Sequence, residues 1–196
     1  PGAGNVSLAR EENSGPTTSA VAATYTKYLI RKGLHNCDQS VLKSVSVPST
    51  GMNFMLKLNA SAIYKTVYDY NQCDINKVWG FSEGLNHQYN SARIGWAYCN
   101  GAVRLYGYTY SKGVRYSAEI GPAALNTELT CSIKFSGYNY QITVNGVTVV
   151  LPRGVNSTKA SGYQLYPYFG GDEVAPQDIT MDIKLTRRLI TPLLFQ

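Results

Sequence analysis

Tyrosine and arginine side chains recur at every second position in one stretch of the sequence. Arg104, Tyr106, Tyr108 and Tyr110 alternate with other residues, so in a β-strand they would share one face of the sheet. Phenol rings can stack on the C–H faces of sugars, and guanidinium groups can donate hydrogen bonds to hydroxyl or carboxylate oxygens. Such a combination is typical of a binding site for a soluble glycan.

Turn signals on either side of this stretch predict which residues join the same face. Asn100-Gly101 predicts a two-residue hairpin turn, because both central residues of a type I′ turn need positive φ. The resulting register puts Arg93 and several small residues beside the ladder. A three-residue turn at 111–113 would then place Tyr116 opposite Tyr108. The candidate site is a shallow trough formed by Arg93, Arg104, Tyr106, Tyr108, Tyr110 and Tyr116, with His87 from the preceding loop.

A second interpretation of the same pattern is that these tyrosines complete the interior of a β-sandwich and only their hydroxyls reach its rim. Arg93 and Arg104 fit a dry interior poorly, because burying a charge without a partner is costly. The sequence leaves both interpretations open.

His87 also lies close in sequence to Ser82 and Glu83, which suggests a catalytic triad. The spacing matches no nucleophile-elbow pattern, however. A pair of carboxylates facing each other, as glycosidases need, is not evident either. Elimination chemistry on a polysaccharide could instead use Tyr108 and His87. We expect a non-enzymatic binding module and keep a polysaccharide lyase as an alternative.

No cofactor is predicted, although one loop could contribute to a metal site. Asp172 and Glu173 are adjacent carboxylates in a glycine-rich segment. Calcium takes about six to eight oxygen ligands, so solvated loop acids are the simpler interpretation.

The chain has no C-x-x-C pair, which excludes the common zinc and thioredoxin spacings. Three pairings into two disulfides are open for its cysteines, which are Cys37, Cys73, Cys99 and Cys131.

The composition favours an extracellular or cell-surface all-β protein. Of the 196 residues, 15% are charged, 16 are tyrosine and 18 are glycine. This polar, uncharged and aromatic composition is typical of such proteins. The net charge is +6, but the basic residues are dispersed, which argues against nucleic acid as a partner and is compatible with an anionic polysaccharide. No hydrophobic stretch of transmembrane length is present.

A second meander carries the clearest fold signal. Turns at Ser136-Gly137 and Asn145-Gly146 pair Ile133 with Tyr140 and Val144 with Val147. Apolar residues fall on one face of the three strands and polar residues on the other, so this sheet covers a core with one face. About ten strands are predicted over residues 25–186, including one at 62–70, with no long amphipathic helix. The predicted fold class is therefore an all-β, two-sheet antiparallel sandwich of jelly-roll type.

Two terminal segments differ in composition from this domain. Residues 1–24 are rich in Gly, Ser, Ala and Thr, and they predict an extended N-terminal arm. Residues 187–196 form a predicted C-terminal tail, whose end, Leu194-Phe195-Gln196, resembles the left side of a picornavirus-type 3C protease site. An arm and an apolar tail would suit a structural subunit of a larger surface or capsid-type assembly. That is the alternative function.

The stretch Val78-Trp79-Gly80-Phe81-Ser82-Glu83-Gly84, with a polar loop and a return strand at 89–98, resembles the concanavalin A-like lectin/glucanase sandwiches. The segment 166–173, leading into a strand at 178–185, is similar to the closing part of such sandwiches in bacterial surface proteins. The resemblance covers about residues 25–186. It implies a ligand site, often for glycans, on the concave face or at its loop rim, and it does not imply an enzyme.

Overall fold

The computed structural model describes residues 24–186, which form an antiparallel sandwich of two six-stranded sheets. The first sheet has the strand order β1-β12-β3-β8-β9-β10, and the second has the order β2-β11-β4-β5-β6-β7. The predicted fold class is confirmed. The strands are β1 (Thr26–Ile30), β2 (Ser44–Pro48), β3 (Met52–Leu58), β4 (Asn76–Ser82), β5 (Asn90–Cys99), β6 (Ala102–Ser111), β7 (Val114–Pro122), β8 (Leu129–Ser136), β9 (Asn139–Val144), β10 (Val147–Pro152), β11 (Lys159–Leu165) and β12 (Ile179–Leu185).

The predicted tail at 187–196 and all but Thr24 of the predicted arm at 1–24 lie outside the described residues. The assembly function that was inferred from these two segments therefore stays a prediction.

The core lies between the sheets and follows from period-two alternation. On β3, Met52, Phe54, Leu56 and Leu58 are buried and the residues between them are half-buried. Fully burying one such side chain stabilises the fold by about 1.5–3 kcal/mol, so a one-residue slip of this strand would expose its whole apolar set. The alternation therefore fixes which face of β3 packs inward.

The second meander folds as predicted except for one register. Val147 pairs with Val144 across the Asn145-Gly146 turn, as expected. The preceding turn is Gly137-Tyr138, so Ile133 pairs with Ile142 and not with Tyr140. This shift of two residues leaves the same side chains pointing inward, since faces repeat every second residue.

The predicted pairing of Tyr116 with Tyr108 is wrong. The turn between β6 and β7 contains two residues, Lys112 and Gly113, both with positive φ. Tyr116 therefore pairs with Thr109, and Ser117 takes the place opposite Tyr108. A slip of one residue exchanges the two faces of a strand, so Tyr116 lies on the face away from the trough.

The strand predicted at 62–70 is also wrong. This segment is irregular and is flanked by two short 3₁₀ helices, Ala60–Ala62 and Asp69–Asn71. Thr66 and Gln72 hold its backbone through side-chain hydrogen bonds, which replace a strand ladder.

A disulfide next to this segment joins Cys73 to Cys99 at the end of β5. The remaining cysteines, Cys37 and Cys131, are buried thiols.

A buried ion pair joins the sheets at one end of the sandwich. Arg153, directly after β10, donates to both carboxylate oxygens of Glu83, directly after β4, over 2.7 and 2.8 Å. The Tyr140 hydroxyl donates to the same carboxylate, and the Arg153 guanidinium lies 3.9 Å from the centre of the Phe135 ring. Burial, and then the charge of Glu83, raise the pKa of Tyr140. Three strands are thereby tied to one carboxylate.

We predict that replacing Arg153 with methionine lowers the free energy of unfolding by roughly 3 to 5 kcal/mol, because Glu83 would stay buried without its cation. Urea denaturation measures the change. Arg31→Met is the matched control, since it breaks a pair with Asp38 that is partly exposed and costs about 1 kcal/mol at most. A double variant, Glu83→Leu with Arg153→Met, should lose clearly less than the two single losses added together. If the stability loss of the double variant equals the sum of the two single losses, Glu83 and Arg153 are not energetically coupled and the prediction is wrong.

Candidate functional site

A cleft of about 470 Å³ lies on the outer face of the second sheet. It contains four of the seven predicted site residues, namely His87, Arg93, Tyr108 and Tyr110. Lys77, Tyr163 and Tyr168, which the sequence analysis did not select, complete its polar and aromatic lining. The trough is therefore an open surface and not part of the sandwich interior.

Arg93 lies in the floor of this cleft. It is on β5, between Gly80 of β4 and Tyr108 of β6 in one row across the sheet. The side chain is buried, yet it forms no salt bridge within residues 24–186, and its Nε has no hydrogen-bond partner there. Burial lowers its pKa to about 10. An unpaired buried cation is costly to the fold, and such groups concentrate where a ligand supplies the missing charge.

Gly80 allows strands β4 and β5 to approach each other closely beside Arg93. A Cβ atom at this position would lie 2.0 Å from the carbonyl oxygen of Ala92 and 2.7 Å from the Cα of Arg93. Strands β4 and β5 could not approach this closely with any side chain at Gly80. The position on β4 that pairs with Arg93 therefore carries no side chain.

Lys77 adds a second cation that the sequence analysis missed. Simple alternation would put Lys77 on the inward side with Trp79, but an irregularity between these two residues turns it outward, where it pairs with Gly95. Its Nζ lies 4.8 Å from the ring centre of Tyr108 and 5.9 Å from that of Tyr168. Burial, and then repulsion from Arg93 and Arg115, lower the pKa of Lys77 to about 8.

His87 reaches the cleft from the loop after β4. Its Nδ1 shares a hydrogen bond of 2.8 Å with the Tyr163 hydroxyl. Burial and the nearby cations Arg93 and Lys77 lower the pKa of His87, so the imidazole is neutral at physiological pH.

The triad suggested by Ser82, Glu83 and His87 does not form. Glu83 is held by Arg153 in the interior, and the Ser82 hydroxyl binds backbone groups of Gly84 and Tyr163. Neither of these two side chains bonds to the His87 ring, so His87 does not activate Ser82.

The tyrosines form a wall of rings. Tyr108 and Tyr110 meet edge to face with centres 5.9 Å apart. Burial, and then the hydrogen-bonding contact with Tyr110, raise the pKa of Tyr108 to about 12. The ring of Tyr168 stacks on His35 at 5.2 Å. The tyrosine rings offer both π-faces and hydroxyl groups to a ligand.

The other predicted residues of the ladder lie away from this cleft. Arg104 forms a salt bridge of 2.6 Å with Glu119 and donates to the carbonyl of Cys99, so its charge is already neutralised. Tyr106 lies on the same outer face of the sheet as Arg104. Burial and the nearby Glu119 raise the pKa of Tyr106. Tyr116 is on the opposite face. The period-two pattern predicted the correct face of the sheet for Arg104 and Tyr106. It could not show that Arg104 forms a salt bridge with Glu119.

The calcium prediction at Asp172 and Glu173 stays a prediction. The Glu173 carboxylate accepts hydrogen bonds from the backbone of Val67 and Tyr68 and from the Asn71 amide, at 2.7–2.9 Å. These bonds position the 67–71 loop and lower the pKa of Glu173. Within residues 24–186, no group of three or more His, Cys, Asp or Glu side chains is placed to hold a metal ion.

Comparison with known proteins assigns no family to this chain. No protein-family model matches this chain, and no curated protein matches its sequence. Similar solved structures include an alginate lyase, with 11% identity over 80% of this chain and 67% of that chain and a TM-score of 0.48. Another is a carbohydrate binding module from Bacillus subtilis, with 9% identity over 83% and 89% of the two chains and a TM-score of 0.39.

A third is a marine alginate lyase from Zobellia galactanivorans, with 15% identity over 71% of this chain and 62% of that one and a TM-score of 0.44. Identities this low say nothing about activity. Among the described residues, no helix is long and apolar enough to cross a membrane.

The unpaired charge of Arg93 leads to a prediction about stability. Arg93→Met should raise the free energy of unfolding by about 1 kcal/mol or more, because it removes a buried charge that the fold does not neutralise. Arg104→Met is the matched control, and it should lower stability because it leaves Glu119 without its cation. Urea denaturation of the three proteins checks this. A comparable loss in both variants would show that Arg93 has a structural partner.

Proposed function

We propose that this protein binds an acidic glycan in the cleft around Arg93 and acts as a recognition module. The observation that carries the proposal is the buried Arg93 guanidinium, which opens on a tyrosine-lined cleft and has no counter-ion among the described residues. A carboxylate or sulfate from a sugar would supply that counter-ion. Charge-assisted pairs of this kind are the stronger class of hydrogen bonds.

The rest of the cleft supports a sugar over other anions. Tyr108, Tyr110, Tyr163 and Tyr168 surround the cation with ring faces and hydroxyls, which suit the apolar C–H faces and polar edges of a pyranose ring. Lys77 stands beside Arg93, so two positive charges are available to one acidic residue. The dispersed +6 net charge would attract a polyanion without a dedicated basic patch.

We further propose that the protein acts outside the cell or at its surface. The Cys73–Cys99 disulfide supports this, because disulfides persist mainly in oxidising compartments. Solvent-exposed loops around the cleft would then be free to meet an extracellular polysaccharide.

One observation favours a second function, a polysaccharide lyase. A neutral His87 bonded to Tyr163 lies in the same cleft as Arg93. In β-elimination from a uronate, a base removes the C5 proton, the bond from C4 to the glycosidic oxygen breaks, and an acid protonates the leaving oxygen. Arg93 would neutralise the carboxylate, and the His87–Tyr163 pair could exchange the proton.

Calorimetric titration tests the binding function. Three polymers serve as probes, a polyuronate, a sulfated galactan and a neutral glucan, so that carboxylate and sulfate recognition are separated. We predict that one acidic polymer binds and that Arg93→Met weakens it about 10- to 100-fold, since hydrogen bonds to charged groups contribute roughly 1.5–3 kcal/mol. Arg104→Met removes the same charge outside the cleft and should leave affinity nearly unchanged.

Equal losses in the two variants would mean that general charge, and not the cleft, drives binding, and no binding to any polymer would refute the proposal. The same mixtures of protein and polymer test the lyase alternative. An increase in ultraviolet absorbance from the unsaturated product, lost in His87→Ala, would identify an enzyme.

Binding should also depend on pH through Lys77. The folded-state pKa of Lys77, about 8, lies below the ordinary 10.5, so the lysine loses its charge as pH rises from 7 to 9. We predict that affinity for the acidic polymer falls several-fold over this interval. In Lys77→Arg the charge persists, and the fall should disappear. Affinity that is flat with pH in the wild type would show that Lys77 does not contact the anion.

A further inference from the structure

A second cleft of about 460 Å³ adjoins the first on the same face of the sheet. Lys77 and Tyr108 line both clefts. The two hollows therefore adjoin at these two side chains. Arg115 and Ser117 of the edge strand β7 form one side of the second cleft, and the 70–75 and 171–172 loops form the other.

The second cleft leads to a pair of exposed aromatic rings. Tyr68 and Tyr70 stack with centres 5.4 Å apart and planes 13° apart, and Tyr70 is 77% exposed. Rings this exposed contribute little to a core, and exposed apolar groups of this kind often mark binding surfaces. Glu173 holds the backbone that carries them through three hydrogen bonds.

The charges of the two clefts differ. The first contains the cations Arg93 and Lys77 and no carboxylate. The second contains Arg115 and the shared Lys77 together with the carboxylates of Asp74 and Asp172. Carboxylates accept hydrogen bonds from sugar hydroxyls and repel a second anionic group. The second cleft is thus better suited to the hydroxyls and ring faces of a sugar than to its acid group.

We propose that the two clefts are one groove, which holds consecutive residues of a linear glycan chain. The first cleft takes the acidic residue, and the second takes the next part of the chain by its hydroxyls and, at Tyr70, by its ring face. The inference rests on the proposed binding of an acidic glycan at Arg93, and it adds that the ligand is an internal segment of a polymer and not a single terminal sugar.

A series of oligosaccharides of increasing length, cut from the acidic polymer that binds, tests this by calorimetric titration. Affinity should rise at least tenfold from the single sugar to the length that fills both clefts and then stay level. Ser117→Trp fills the second cleft from an exposed strand position opposite Tyr108. It should remove the gain from length and leave binding of the shortest ligand unchanged.

Tyr70→Ala should weaken only the long oligosaccharides, by about 10-fold, within the 1–3 kcal/mol that stacking on one aromatic ring contributes elsewhere. Tyr138→Ala is its matched control, because Tyr138 is also exposed but belongs to a turn of the other sheet. If the single sugar binds as tightly as the polymer and both variants behave like wild type, the second cleft is not part of the site. If no length binds, the proposed function itself has failed.

Discussion

The Glu83–Arg153 ion pair is the contact on which the rest of the molecule depends. Glu83 directly follows β4, a strand of the sheet that carries the cleft, and Arg153 directly follows β10, an edge strand of the opposite sheet. Tyr140 and Arg153 both bind the Glu83 carboxylate and so hold the first residue of the loop that carries His87 to Tyr163. A contact in the interior thus anchors one end of a loop that reaches the surface cleft.

The two buried arginines of this protein show opposite uses of the same group. Arg153 has a bidentate carboxylate, two carbonyl oxygens and an aromatic ring around it, so the fold neutralises its charge completely. Arg93 has tyrosine rings and open space, and no carboxylate bonds to it within residues 24–186. The first arrangement stabilises the fold, and the second leaves a charge for something else to neutralise.

Much of the architecture could be predicted because turn residues determine register locally. Asn100-Gly101 and Asn145-Gly146 gave correct pairings, and the alternation in the second meander identified its inward face. Prediction was wrong where one residue more or less changed the outcome. The β6–β7 turn has two residues, not three, and this alone moved Tyr116 to the other face. The 62–70 segment has strand-like composition, but side-chain hydrogen bonds to its backbone replace a neighbouring strand.

The lining of the cleft was predicted in part, for the same reason. The hairpin register predicts that Arg93, Tyr108 and Tyr110 share one face. Lys77 faces the cleft only because of an irregularity in β4, which no residue in the sequence indicates. Tyr163 and Tyr168 come from a distant part of the chain, and pairing between β11 and β4 is not encoded by any turn. The salt bridge between Arg104 and Glu119 also depends on the register between β6 and β7, which was predicted wrongly.

The glycine at position 80 has a consequence for how selectivity can change. Even one added methyl group there would collide with the neighbouring strand, so this position offers no route for adjustment by a single substitution. Variation that tunes the proposed preference among sugars would therefore fall on other positions, such as the surrounding loops and the tyrosines. A directed library aimed at new specificities would do best to leave β4 and β5 intact and diversify those outer positions.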